Sequence, residues 1–94
     1  MNIKKYLGTR TAFSFNNEKE WKDFLELLEE NNIWWASNKK AKSKIDWYEK
    51  EYCLCLRDNA ITRGTYLWYK NNGYNIIEAK LFLNVKKGNV NEWD

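Results

Sequence analysis

The chain has 94 residues, 44% hydrophobic and 31% charged, which sets the expectation of one folded domain over residues 1–94 and excludes a disordered chain. It carries 16 basic against 13 acidic residues, a net charge of +3 that is too mild for a DNA-coating protein and of the wrong sign for an acidic DNA mimic. There is no His and no Pro, but six Trp, six Tyr and four Phe, more rings than a domain of this size buries completely, so some must line a surface or a pocket.

In chain order, Thr11-Ala12-Phe13-Ser14-Phe15 alternates with the period of a strand and places Phe13 and Phe15 on its covered face. Before it, Arg10 interrupts the only early stretch with the makings of a signal-peptide core, so a soluble cytoplasmic protein without membrane contact is expected. Trp21, Phe24, Leu25 and Leu28 fall at i, i+3, i+4 and i+7, widened by Leu27, and predict an amphipathic helix with Glu18, Glu26, Glu29 and Glu30 outside. Asn17 with Glu20 opens it as a capping box and Asn31-Asn32 stops it, giving a helix over about residues 17–31.

Ile33-Trp34-Trp35-Ala36 reads as a second strand, and residues 37–44, with four lysines and no acid, as a basic solvated loop. Tyr52-Cys53-Leu54-Cys55-Leu56 is apolar on both faces, as expected of a central strand covered on both sides. Its two cysteines point to one side, where a mutual disulfide is geometrically poor, and read as reduced and packed. Asp58-Asn59 reads as a turn, Ala60-Ile61-Thr62 as a returning strand, and Gly64 as the break after it. Thr65 to Asn72 predicts a short second helix ended by Gly73 in a left-handed C′ position. Tyr74 to Val85 reads as a last strand or hairpin, followed by a polar tail from about Lys86. The expected fold is α+β, an antiparallel sheet of four to five strands with the main helix on one face, in an element order that resembles a ferredoxin-like arrangement.

Without His, the usual general base and zinc ligand are missing, and Cys53-x-Cys55 alone is half a tetrahedral metal set, so neither metal nor cofactor is expected. Asp46, Glu49 and Glu51 near Trp47-Tyr48 are explained by charge balance with Lys44 and Lys50, and no catalytic set is assigned. More telling is the interleaving of rings with cations: flat rings stack on nucleobases while Lys and Arg meet phosphates. On that pattern the candidate ligand-binding residues are Trp34, Lys39, Lys40, Trp47, Tyr48, Arg63, Tyr66 and Tyr69. The same exposed rings would equally serve as a hot spot for a protein partner. An RNA-recognition motif would need aromatics on the central strand, where aliphatic residues and thiols stand instead.

The succession Phe24-Leu25 through Leu28, Asn32-Ile33-Trp34-Trp35-Ala36-Ser37, then Tyr69-Lys70-Asn71-Asn72-Gly73-Tyr74-Asn75-Ile76-Ile77-Glu78 resembles a group of short accessory proteins encoded by phages and prophages of low-GC bacteria. The group commonly has a glycine after Ala-Ser, where this chain has Asn38. The resemblance implies a phage setting, in which proteins of this size are often counter-defence factors, either anti-CRISPR proteins or sponges for immune signalling nucleotides. The expected function is therefore non-catalytic inhibition of a bacterial defence by binding, with a nucleotide signal favoured over a Cas-type effector protein. An open sheet edge would also let two copies pair as a homodimer.

Overall fold

The computed structural model describes residues 3–38, 40–41 and 52–83 of the chain. After a 3-10 turn, Ile3–Tyr6, six elements follow: β1 (Thr11–Ser14), α1 (Glu18–Glu30), β2 (Tyr52–Cys55), β3 (Thr62–Thr65), α2 (Tyr66–Asn71) and β4 (Asn75–Glu78). The four strands form one sheet in the order β3-β2-β1-β4, an α+β architecture.

The first helix forms as its end signals require. The Asn17 side chain accepts from the Glu20 N–H at 2.9 Å, and Glu20 Oε1 accepts from the Asn16 N–H at 3.0 Å. At the other end Asn32 takes a left-handed conformation (φ 59°), the Ile33 N–H reaches the Leu28 carbonyl and the Asn32 N–H the Glu29 carbonyl. That is a Schellman closure, and its customary apolar contact is supplied by Ile33 and Leu28, both buried. The inward stripe of Trp21, Phe24, Leu25 and Leu28 packs on Phe13, Phe15, Leu54 and Leu56 of the sheet. The rings meet edge-on or tilted, with Phe13 and Phe24 centroids 4.9 Å apart and Phe15 and Trp21 5.1 Å apart.

Alternation along β1 and β2 sends Ala12, Cys53 and Cys55 to the opposite face, where they pack with Tyr69 of α2. Both cysteines are free and buried, as their spacing predicts. The sheet is thus covered on both sides, by α1 on one and by the short α2 on the other.

Several expectations need correction. The sheet is mixed: β1–β2 and β2–β3 are antiparallel, but β4 runs parallel to β1. The reason is α2, which carries the chain from the β3 edge over the second face to the β4 edge and so returns it in the same direction. The resemblance to a ferredoxin-like arrangement stops at element order, since β1 and β2, the strands joined by α1, are antiparallel neighbours. Ile33–Ala36 is no strand. The Schellman closure turns Ile33 into the core, and only a single bridge, Trp35↔Ile61, remains. The loop that follows is not wholly solvated, because Ala41 is buried and its carbonyl accepts from the Trp35 indole at 2.8 Å.

Gly64 does not break the returning strand but sits inside it, paired with Cys53, and the strand runs Thr62–Thr65. The last strand is only Asn75–Glu78, and residues 80–83 are helical, with Phe82 and Leu83 buried. Val85, the tail from Lys86, and the acids Asp46, Glu49 and Glu51 lie outside the described residues. No helix among those described is long and apolar enough to cross a membrane.

Candidate functional site

A groove of about 530 Å³ lies on the α2 face, within the roughly 300–1,000 Å³ range of small-molecule sites. Local sequence builds it. Thr65 caps α2, its hydroxyl accepting from the Trp68 N–H at 3.2 Å. Gly73, at φ 76°, ends α2, with the Tyr74 N–H on the Tyr69 carbonyl at 3.0 Å and the Gly73 N–H on the Lys70 carbonyl at 3.4 Å. This second Schellman closure brings Tyr69 and Tyr74 together, ring centroids 4.9 Å apart. Trp68 adds a third ring, 5.8 Å from Tyr74, and is 52% exposed.

The groove also reaches the β2–β3 turn, where Arg57 and Asp58 are exposed and line it. Asn59, at φ 60°, lets that turn close. The wall between is β3, with Thr62 and Gly64 on the groove face. Gly64 is required there, since a Cβ would stand 3.0 Å from Tyr69 Cε2.

The groove floor is chemically quiet. Burial pushes the Tyr69 phenol up to about 12, with a hydrogen bond from Thr62 opposing it. Burial also pushes the Cys53 thiol up to about 11, and raises Cys55 in the same direction. These groups stay protonated at neutral pH and offer neither a base nor a thiolate. The useful chemistry is at the rim: an open indole, the partly open ring of Tyr74, and guanidinium and carboxylate charge.

Of the described residues singled out from sequence, Tyr69 and Arg63 line the groove, and Trp34, Lys40 and Tyr66 lie elsewhere. Tyr69 is in the groove, but as buried support. Arg63 lies on the edge strand opposite Leu54, so its guanidinium points to the other face and stacks 5.2 Å from the Tyr52 ring. Arg63 is nonetheless one of the residues that line the groove, at its β3 wall. Tyr66, exposed at the start of α2, has Lys70 Nζ 5.9 Å from its ring and is not among the groove residues. Trp34 and Lys40 share a separate hollow of about 220 Å³ beside Glu29 and Asn32. Lys39, Trp47 and Tyr48 lie outside the described residues.

What sequence reading missed is Trp68, Tyr74, Arg57 and Asp58. The signal for Arg57 was present, because the alternation that puts Cys53 and Cys55 on one side continues to residue 57. Comparison with protein-family models, curated proteins and solved structures gives no match to this chain.

Proposed function

We propose that this is a non-catalytic phage or prophage protein that blocks a bacterial immune system by sequestering a nucleotide signal in the host cytoplasm. The observation that carries the reading is the groove itself, where an exposed Trp68, a partly exposed Tyr74 and Arg57 line one hollow of about 530 Å³. A stacked base contributes roughly 1–3 kcal/mol, and guanidinium forks match phosphate oxygens. The resemblance to phage accessory proteins supplies the biological setting.

Native mass spectrometry of the tagged protein recovered from defence-activated host cells tests it. A mass increment equal to a nucleotide supports sequestration. Recovery of the bare protein, with no binding of any nucleotide in vitro, rejects it.

A second reading has its own support. Tyr66, Leu67 and Trp68 expose 37%, 65% and 52% of their surfaces side by side on α2, an aromatic and aliphatic patch suited to docking on a Cas-type effector. A co-purifying large protein without small-molecule mass favours this anti-CRISPR reading.

A further inference from the structure

Two arginines far apart in sequence border the groove, Arg57 in its lining and Arg10 against the Tyr74 ring. Arg10 lies two residues before Ala12 and Arg57 two after Cys55, at the end of the β1–β2 ladder that the Ala12↔Cys55 pair closes. The chains stay adjacent there, because the Gly8 N–H donates to the Leu56 carbonyl at 2.8 Å. Ala12 and Cys55, the ladder residues nearest them, face the groove side together with Tyr69 and Tyr74. The contacts agree: Arg57 lines the groove, and the Arg10 guanidinium carbon lies 5.7 Å from the ring of Tyr74, which also lines it.

We infer that Arg10 and Arg57 form a clamp for the phosphate of a nucleoside phosphate whose base stacks on Trp68. The inference rests on the nucleotide reading above and assigns its charged end. Tyr74 stands between the two ends, its ring 5.8 Å from that of Trp68 and 5.7 Å from the Arg10 guanidinium carbon, a spacing suited to one nucleotide laid across it. Both arginines are exposed, so they carry their charge without a burial penalty and regain hydrogen bonds when an anion arrives. Stacking on Tyr74 holds the Arg10 plane in place beforehand, which lowers the ordering cost of binding. Asp58 on the same rim offsets one positive charge and suits the site to a monophosphate or diester more than to a triphosphate.

The test is a titration of the isotope-labelled full chain, followed by NMR at the arginine Nε–H and tryptophan indole N–H signals. The probes are inorganic pyrophosphate, guanosine, and AMP, GMP, CMP and UMP. Pyrophosphate is expected to shift Arg10 and Arg57 alone, and at least one monophosphate to shift both arginines and Trp68. Arg10→Gln with Arg57→Gln should weaken monophosphate binding by about tenfold or more, whereas Lys40→Gln should leave it unchanged. Monophosphate binding at Trp68 with equal affinity in the double variant overturns the clamp and leaves the nucleotide reading standing. Pyrophosphate binding that the double variant abolishes, with no nucleotide or guanosine shifting Trp68, supports an anion clamp and rejects the nucleotide reading. No response to any probe overturns both. Both arginines are exposed, so an unchanged amide spectrum verifies that the variant folds.

Discussion

The ring of Tyr69 lies flat enough against Gly64 that a Cβ at residue 64 would stand 3.0 Å from Cε2, 3.1 Å from Cζ and 3.2 Å from the phenol oxygen. An edge strand normally loses order by carrying glycine, so the residue is explained by the ring and not by the backbone. Tyr69 is buried against Ala12, Cys53 and Cys55, so its ring can give way only toward the groove. Gly64→Ala is therefore expected to destabilise the fold by about 1–3 kcal/mol, measured by urea unfolding. In a Tyr69→Ala background the same change should become neutral or stabilising, because the clash is gone. Additive costs in the double variant would show that the glycine serves something other than the ring.

Asn32 supplies a second local test. Its left-handed φ of 59° closes the Schellman end of α1 and turns Ile33 into the core. Asn32→Gly removes the Cβ strain and should raise stability by a few tenths of a kcal/mol, whereas Asn32→Val should lower it by about 1–2 kcal/mol. Thermal unfolding of the pair measures both signs, and equal melting temperatures would remove the left-handed cap from the account.

The elements set by short-range chemistry were legible in the sequence. The stripe and caps of α1 appear as read, as do the Thr65 and Gly73 ends of α2 and the both-faces-apolar β2. What was not legible depends on long-range pairing. Nothing local tells β4 to run parallel to β1, since that follows from α2 crossing the sheet. Gly64 reads as a strand break until the distant Tyr69 ring is seen against it. The site was legible in part: grouping rings and cations by nearness in sequence joined Arg63 to Tyr69, which both line the groove, but also took in Tyr66, which lies outside it. Arg10 and Arg57 come to the same end of the sheet only through the distant β1–β2 pairing.

The pH dependence of stability follows from the groove floor. Burial raises Cys53 from 9.0 to about 11 and Tyr69 from 10.0 to about 12, and raises Cys55 in the same direction. Between the ordinary and the raised values the unfolded chain releases protons that the folded chain keeps, so unfolding is favoured as pH climbs. Stability should be level from this source below about pH 9 and fall progressively toward about pH 12. Cys53→Ala should flatten the lower part of that decline and Tyr69→Phe the upper part, as read by denaturant titrations at stepped pH. In the same window both thiols should resist iodoacetamide in the folded protein and react once urea unfolds it.

The exposed tryptophans separate the groove from the hollow near α1. Trp68 and Trp34 are exposed to similar extents, 52% and 44%, yet they stand in different settings: Trp68 beside the ring of Tyr74, and Trp34 beside Lys40. If the groove takes the base, Trp68→Ala should weaken nucleotide binding by roughly 5- to 150-fold, the equivalent of one lost stack. Trp34→Ala should leave it unchanged. Both substitutions should shift folding stability by under about 0.5 kcal/mol, because neither ring is a core residue. Calorimetric titration of the two variants against the nucleotide recovered from cells reads the difference directly. The reverse pattern, with Trp34 essential and Trp68 dispensable, would move the binding site to the hollow beside Lys40 and restore the basic loop as the phosphate contact. It would also leave Arg10 and Arg57 without a role in binding, since they sit on the Tyr74 side of the sheet.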